Sequence, residues 1–124
     1  MLKSLFSYAL LSTCLFTPVP VLAAIQMNED QIEKLTALHA QADAFLAKDK
    51  CHEALVIYDE ILLEEADDEV AYTNSGYCFM LLGQFEKAKE SFAYALNINP
   101  GNEVAQMGLR KIHDPDGDWT TPND

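Results

Sequence analysis

One stretch, Glu69 to Asn102, constrains this chain more than any other. It reads EVAYTNSGYCFMLLGQFEKAKESFAYALNINPGN. Tyr72, Gly76, Phe79 and Met80 recur at helical spacing, and so do Phe85, Ala88, Phe92, Ala95 and Leu96. Gly83 stands where the first helix must stop, because glycine accepts the left-handed conformation at a helix end. Pro100 and Gly101 stop the second helix. Gly76, Ala88 and Ala95 lie on apolar faces, where a large side chain would hold two helices apart. The stretch therefore predicts a helical hairpin packed closely enough to need small residues at fixed places.

The same marks follow a known pattern, W-x₂-L-G-x₂-Y…A-x₃-F…P, with a period of about 34 residues. Tyr72 stands in for the Trp and Ser75 for the Leu. Gly76, Phe79, Ala88, Phe92 and Pro100 fill the other places in kind. The stretch resembles the tetratricopeptide repeat (TPR) family. A second copy can be read 34 residues upstream, at 35–68. There Leu38, Ala42 and Phe45 take the Trp, Gly and Tyr places. Ala54 and Tyr58 fall where Ala88 and Phe92 fall downstream. Ile61 replaces the later alanine and Ala66 the proline, so this copy is diverged. With no proline, the end of its second helix is open, though Asp67 and Asp68 can cap the next helix.

The flanks complete the expected organisation. Residues 24–34 extend the first helix, which Asn28 caps with Gln31 in a capping-box arrangement. That helix runs to about Ala47, with Ile32, Leu35, Leu38, Ala42, Phe45 and Leu46 on its apolar face. Asn102 caps a last helix, 103–113, with Val104, Met107, Leu109 and Ile112 as its apolar residues. Repeat arrays need a terminal element over their last apolar face, so this helix is read as a cap. The acidic tail 114–124 is expected to be mobile. The resemblance thus implies an all-α fold: a short right-handed α-solenoid of two TPR hairpins and a C-terminal capping helix. Such an array is near the minimum length. Partner binding or self-association would add to its stability.

Residues 1–23 have the anatomy of a signal peptide: Lys3, an apolar run from Leu5 to Phe16, Pro18 and Pro20, then Val21-Leu22-Ala23. Cleavage after Ala23 is the expectation, giving an exported chain, periplasmic or secreted, with no membrane attachment after cleavage. An uncleaved anchor, a lipoprotein box at Leu11-Ser12-Thr13-Cys14, and translation from Met27 are the alternatives. The charge is strongly unbalanced, with 8 Lys+Arg against 20 Asp+Glu. That argues against nucleic-acid binding and against attraction to an anionic membrane.

The sequence carries no Gly-rich phosphate loop, HExxH, CxxC or GxSxG motif. His39, His52 and His113 are scattered, and Cys51-His52 would need a third ligand from elsewhere in the chain to bind a metal. Asp114-Pro115-Asp116-Gly117-Asp118 resembles the start of a calcium loop, but Trp119 follows the third acid where glycine is required. A non-enzymatic protein with neither cofactor nor metal is expected.

The family resemblance implies binding of another protein. In TPR proteins the first helices of successive hairpins line a concave groove. Carried over by register, that groove takes Thr36, His39 and Asp43 from the first repeat. It takes Thr73, Asn74, Tyr77 and Met80 from the second, and Met107 and Lys111 from the last helix. The set lacks the Lys, Arg and Asn cluster that clamps a terminal carboxylate. An adaptor for an envelope or secreted partner is the leading expectation. The alternative is an acidic chaperone similar to those of type III secretion. Finally, the resemblance implies that Cys51 and Cys78 lie at similar heights on neighbouring helices of a TPR stack, either as a disulfide or as two small buried residues.

Overall fold

The computed structural model describes residues 27–117. They form five helices: α1 Glu29–Leu46, α2 Cys51–Glu64, α3 Glu69–Leu81, α4 Phe85–Ile98 and α5 Glu103–His113. Residues 1–26 and 118–124, with the leader, Cys14 and Trp119 among them, lie outside the described residues. The chain divides at Ile32/Glu33 into two units. In the first, Asn28 Oδ1 accepts from the Gln31 amide at 2.8 Å, and Gln31 Oε1 accepts from the Asn28 amide at 3.1 Å. The expected capping box is formed, and Ile32 is half exposed.

Residues 33–117 carry the packed helices, and their backbone repeats every 34 residues. The turn in the first hairpin places Asp49 at φ 56°; the turn in the second places Gly83 at φ 73°. Glycine takes the left-handed region freely, and Asp is among the few other residues that tolerate it. Lys50 and Gln84 follow with φ/ψ of −88°/66° and −89°/66°. Their amides reach back to Phe45 O and Phe79 O at 3.0 and 2.8 Å. The ends of α2 and α4 agree as well, with Glu65 at −136°/96° and Asn99 at −132°/97°. The first repeat thus ends its second helix without the proline.

Helix α3 joins two apolar clusters. On one side Ala71 and Cys78 meet Leu35, Leu38, Ala42, Cys51, Ala54, Tyr58 and Ile61. On the other, Tyr72, Phe79 and Met80 pack on Ala88, Phe92, Ala95 and Ala105, with Leu96, Leu109 and Ile112 around them. A helix packed on both sides cannot show one apolar stripe, which is why α3 reads EVAYTNSGYCFML rather than as an amphipathic period. All-helical order and stacked helix pairs make residues 33–117 a short TPR-like solenoid.

The capping helix packs differently from its apolar pattern. Val104 is 59% exposed and Met107 43% exposed. The buried residues are Ala105 and Gly108, with Leu109 and Ile112 half-buried. The reason is Phe92. A Cβ on Gly108 would lie 2.4 Å from that ring, and one on Gly76 would lie 2.7 Å from it. The ring therefore fills the space that two glycines leave, one on α3 and one on α5.

Gly108→Ala should destabilise the fold by about 1–3 kcal/mol, because a buried ring must move. Chemical denaturation of Gly108→Ala, Phe92→Leu and the double variant checks this. The double variant should cost less than the sum of the singles, since a smaller side chain at 92 relieves the clash. Strict additivity would contradict the packing described.

Candidate functional site

The two helix starts that follow each hairpin carry the same device. Asp68 and Asn102 both adopt extended backbone, at φ/ψ of −74°/102° and −69°/99°. Asp68 Oδ1 accepts from the Ala71 amide at 2.7 Å, and Asn102 Oδ1 from the Ala105 amide at 2.8 Å. Each cap is worth about 1 kcal/mol to its helix. The second atom of each side chain reaches back to the first helix of the preceding hairpin. His39 Nε2 donates to Asp68 Oδ2 at 2.7 Å, and Asn102 Nδ2 donates to Thr73 Oγ1 at 2.8 Å. His39 and Thr73 are again 34 residues apart. Glu69 closes a polar knot at the second junction, accepting from Asn99 and Asn102 at 2.9 and 2.7 Å.

These contacts place the candidate groove residues. Thr73 is buried, because its hydroxyl donates to Glu69 O at 2.8 Å and accepts from Asn102. His39 is half-buried against Asp68. Asp43 is exposed and Asn74 half-buried, and the two are brought together around the hydroxyl of Tyr58. Met80 and Lys111 meet at a cavity of about 350 Å³, with Leu81, Phe85, Ile112 and Pro115 as its other walls. Tyr77 is 40% exposed, and Thr36 is exposed. Val70 and Val104 are exposed apolar groups on the same helices as Tyr77 and Met107, and the register alone did not select them. Their signal was available: both are the second residue of their helices, 34 positions apart.

Tyr58 is the one large polar side chain in the first cluster. It is fully buried, and its hydroxyl makes no hydrogen bond of good geometry. Burial pushes its pKa up to about 12, with the neighbouring Asn74 acting in the opposite sense and Asp43 adding to the rise. On α3, Ser75 also buries an unpartnered hydroxyl beside a cavity of about 300 Å³. Tyr72 and Tyr94 stack there at 5.1 Å, and the Lys87 ammonium lies 5.5 Å from the centre of Phe79. Cys51 and Cys78 are both buried and unbridged. Among the described residues, no group of three His, Cys, Asp or Glu is placed to hold a metal, and no helix is long and apolar enough to cross a membrane.

The Tyr58 hydroxyl generates a pH dependence. Its ordinary value is 10.0, so the unfolded chain ionises first as pH rises. The stability it contributes is whole below about pH 10 and is lost as pH climbs towards about 12. Tyr58→Phe should leave stability at pH 7 unchanged or raise it by up to about 1 kcal/mol, since an unpaired buried hydroxyl is removed. It should also lose less stability than the wild type between pH 10 and 12. Denaturation midpoints across that range measure both effects.

No family model matches the chain. It is similar to the tetratricopeptide repeat and J domain-containing co-chaperone DNJ1 of Fusarium oxysporum f. sp. lycopersici, 28% identical over 82 residues, covering 66% of this chain and 16% of the relative. It is also similar to sperm-associated antigen 1 of Rattus norvegicus, 36% identical over 77 residues, covering 56% of this chain and 9% of the relative. The chain thus spans less than a fifth of either relative's length. The similarity to DNJ1 agrees with the 34-residue backbone period in describing TPR-like helical repeats.

Proposed function

We propose that this chain is a non-enzymatic protein-interaction module. It holds a peptide or helix of another protein against the face built from α1, α3 and α5. The observation that carries this reading is the exposure of Val70 and Tyr77 on α3 and of Val104 and Met107 on α5. Each is a large apolar side chain on a helix whose small residues are the ones buried. Aromatic and Met side chains give much contact area when a partner covers them, and Met adapts its shape to the surface it meets. Asp43, Asn74 and Lys111 supply hydrogen-bonding groups around that apolar strip. The co-chaperone similarity supports a role in handling other proteins. The leader read in residues 1–23 makes the proposed partner an envelope or secreted protein.

The test uses a photoreactive residue at Asp43 in the native host, with and without Tyr77→Ala plus Met107→Ala. The captured partner should fall at least about tenfold in the double variant, while helicity by circular dichroism stays unchanged. Unchanged capture would move the binding face elsewhere. Loss of helicity would make the two side chains part of the core.

A further inference from the structure

We propose that Cys51 and Cys78 form an intramolecular thiol–disulfide switch that clamps the first hairpin to the second, oxidised by a small-molecule disulfide of the glutathione class. The two residues belong to different hairpins and to one buried cluster. Cys51 is the first residue of α2, and Cys78 lies one turn before the end of α3, which packs on α2. The Cys51 thiol neighbours the Cys78 thiol in that cluster and helps to raise its pKa, and a bridge forms when the Cα atoms stand within roughly 4.4–6.8 Å.

The two thiols differ in access. Cys51 keeps 4% of its surface and follows directly on the turn that holds Asp49 at positive φ. Cys78 has no exposed surface. Burial first, and then the neighbouring Cys51 thiol, push the Cys78 thiol well above its ordinary range, so it is a poor first nucleophile. The order follows. The Cys51 thiolate attacks one sulfur of the small disulfide, whose S–S bond breaks. A mixed disulfide forms on Cys51, and one small thiolate leaves and takes up a proton. Cys78 then gives up its proton and attacks the Cys51 sulfur, expelling the second small thiolate. Two protein thiols are oxidised to one disulfide, and one small disulfide is reduced to two thiols. The bridge encloses α2 and most of α3, so it restrains the unfolded chain and stabilises the folded one.

The test incubates the reduced full chain with oxidised glutathione and follows it by intact mass, peptide mapping and thermal unfolding. The expected product has lost two hydrogens, links the Cys51 peptide to the Cys78 peptide within one chain, and melts at least about 5 °C higher. In Cys78→Ala the glutathione adduct should accumulate on Cys51 at least about tenfold faster than on Cys78 in Cys51→Ala. If either variant fails to fold by circular dichroism, the mapping of the unsubstituted chain decides alone. Free thiols at both positions would overturn the proposal when denatured chain reacts fully under the same conditions. So would adducts that never resolve, links only between chains, or a lower melting temperature.

Discussion

A phenyl ring set between two glycines fixes how closely α3, α4 and α5 approach. Phe92 comes from α4, and its ring lies where side chains at Gly76 and Gly108 would otherwise be. A fully buried aromatic of this kind contributes about 3–5 kcal/mol against its truncation, so the second junction depends on it. The first junction uses the same place with different chemistry. Tyr58 stands 34 residues before Phe92, Ala42 before Gly76, and Asn74 before Gly108. The ring there carries a hydroxyl directed at Asn74 and Asp43, and no partner completes its hydrogen bond. The two junctions share a shape but not a polarity.

Polar bonds then set the register that the rings alone leave loose. Asp68 and Asn102 each cap a helix with one atom and tie the previous hairpin with another. Capping and stacking are therefore coupled: removing either side chain frays a helix and unties a junction together. The helices so held leave small residues inward and Tyr77, Val104 and Met107 outward. The proposed interaction face would work through contact area and hydrogen bonding.

The hairpins, the Gly83 turn and both caps were legible because they depend on local rules: periodicity, a left-handed turn glycine, and Asx side chains before a helix; the first turn, with Asp49 in the left-handed region, carries no glycine to mark it. The role of Gly108 was not legible. A glycine inside a helix reads as a weak point until the ring that occupies its space is known. Val104 misled for a related reason. Apolar spacing in α5 gives two possible faces, and only the place of Phe92 decides which is buried. At the candidate site, register named Asp43, Asn74, Met80 and Lys111 only as separate groove residues; the structure brings Asp43 and Asn74 to the Tyr58 hydroxyl, and Met80 and Lys111 to one cavity. It did not reveal that Thr73 turns inward, because that depends on Asn102 arriving from 29 residues away.

The most direct measurement is a nuclear Overhauser spectrum of the reduced protein in solution. The account predicts cross-peaks from the Phe92 ring protons to the α-protons of both Gly76 and Gly108, with those α-protons shifted upfield by the ring. Cross-peaks from Phe92 to Val104 and Tyr77, with none to Gly108, would contradict it. In that case the apolar strip offered to a partner would instead be core.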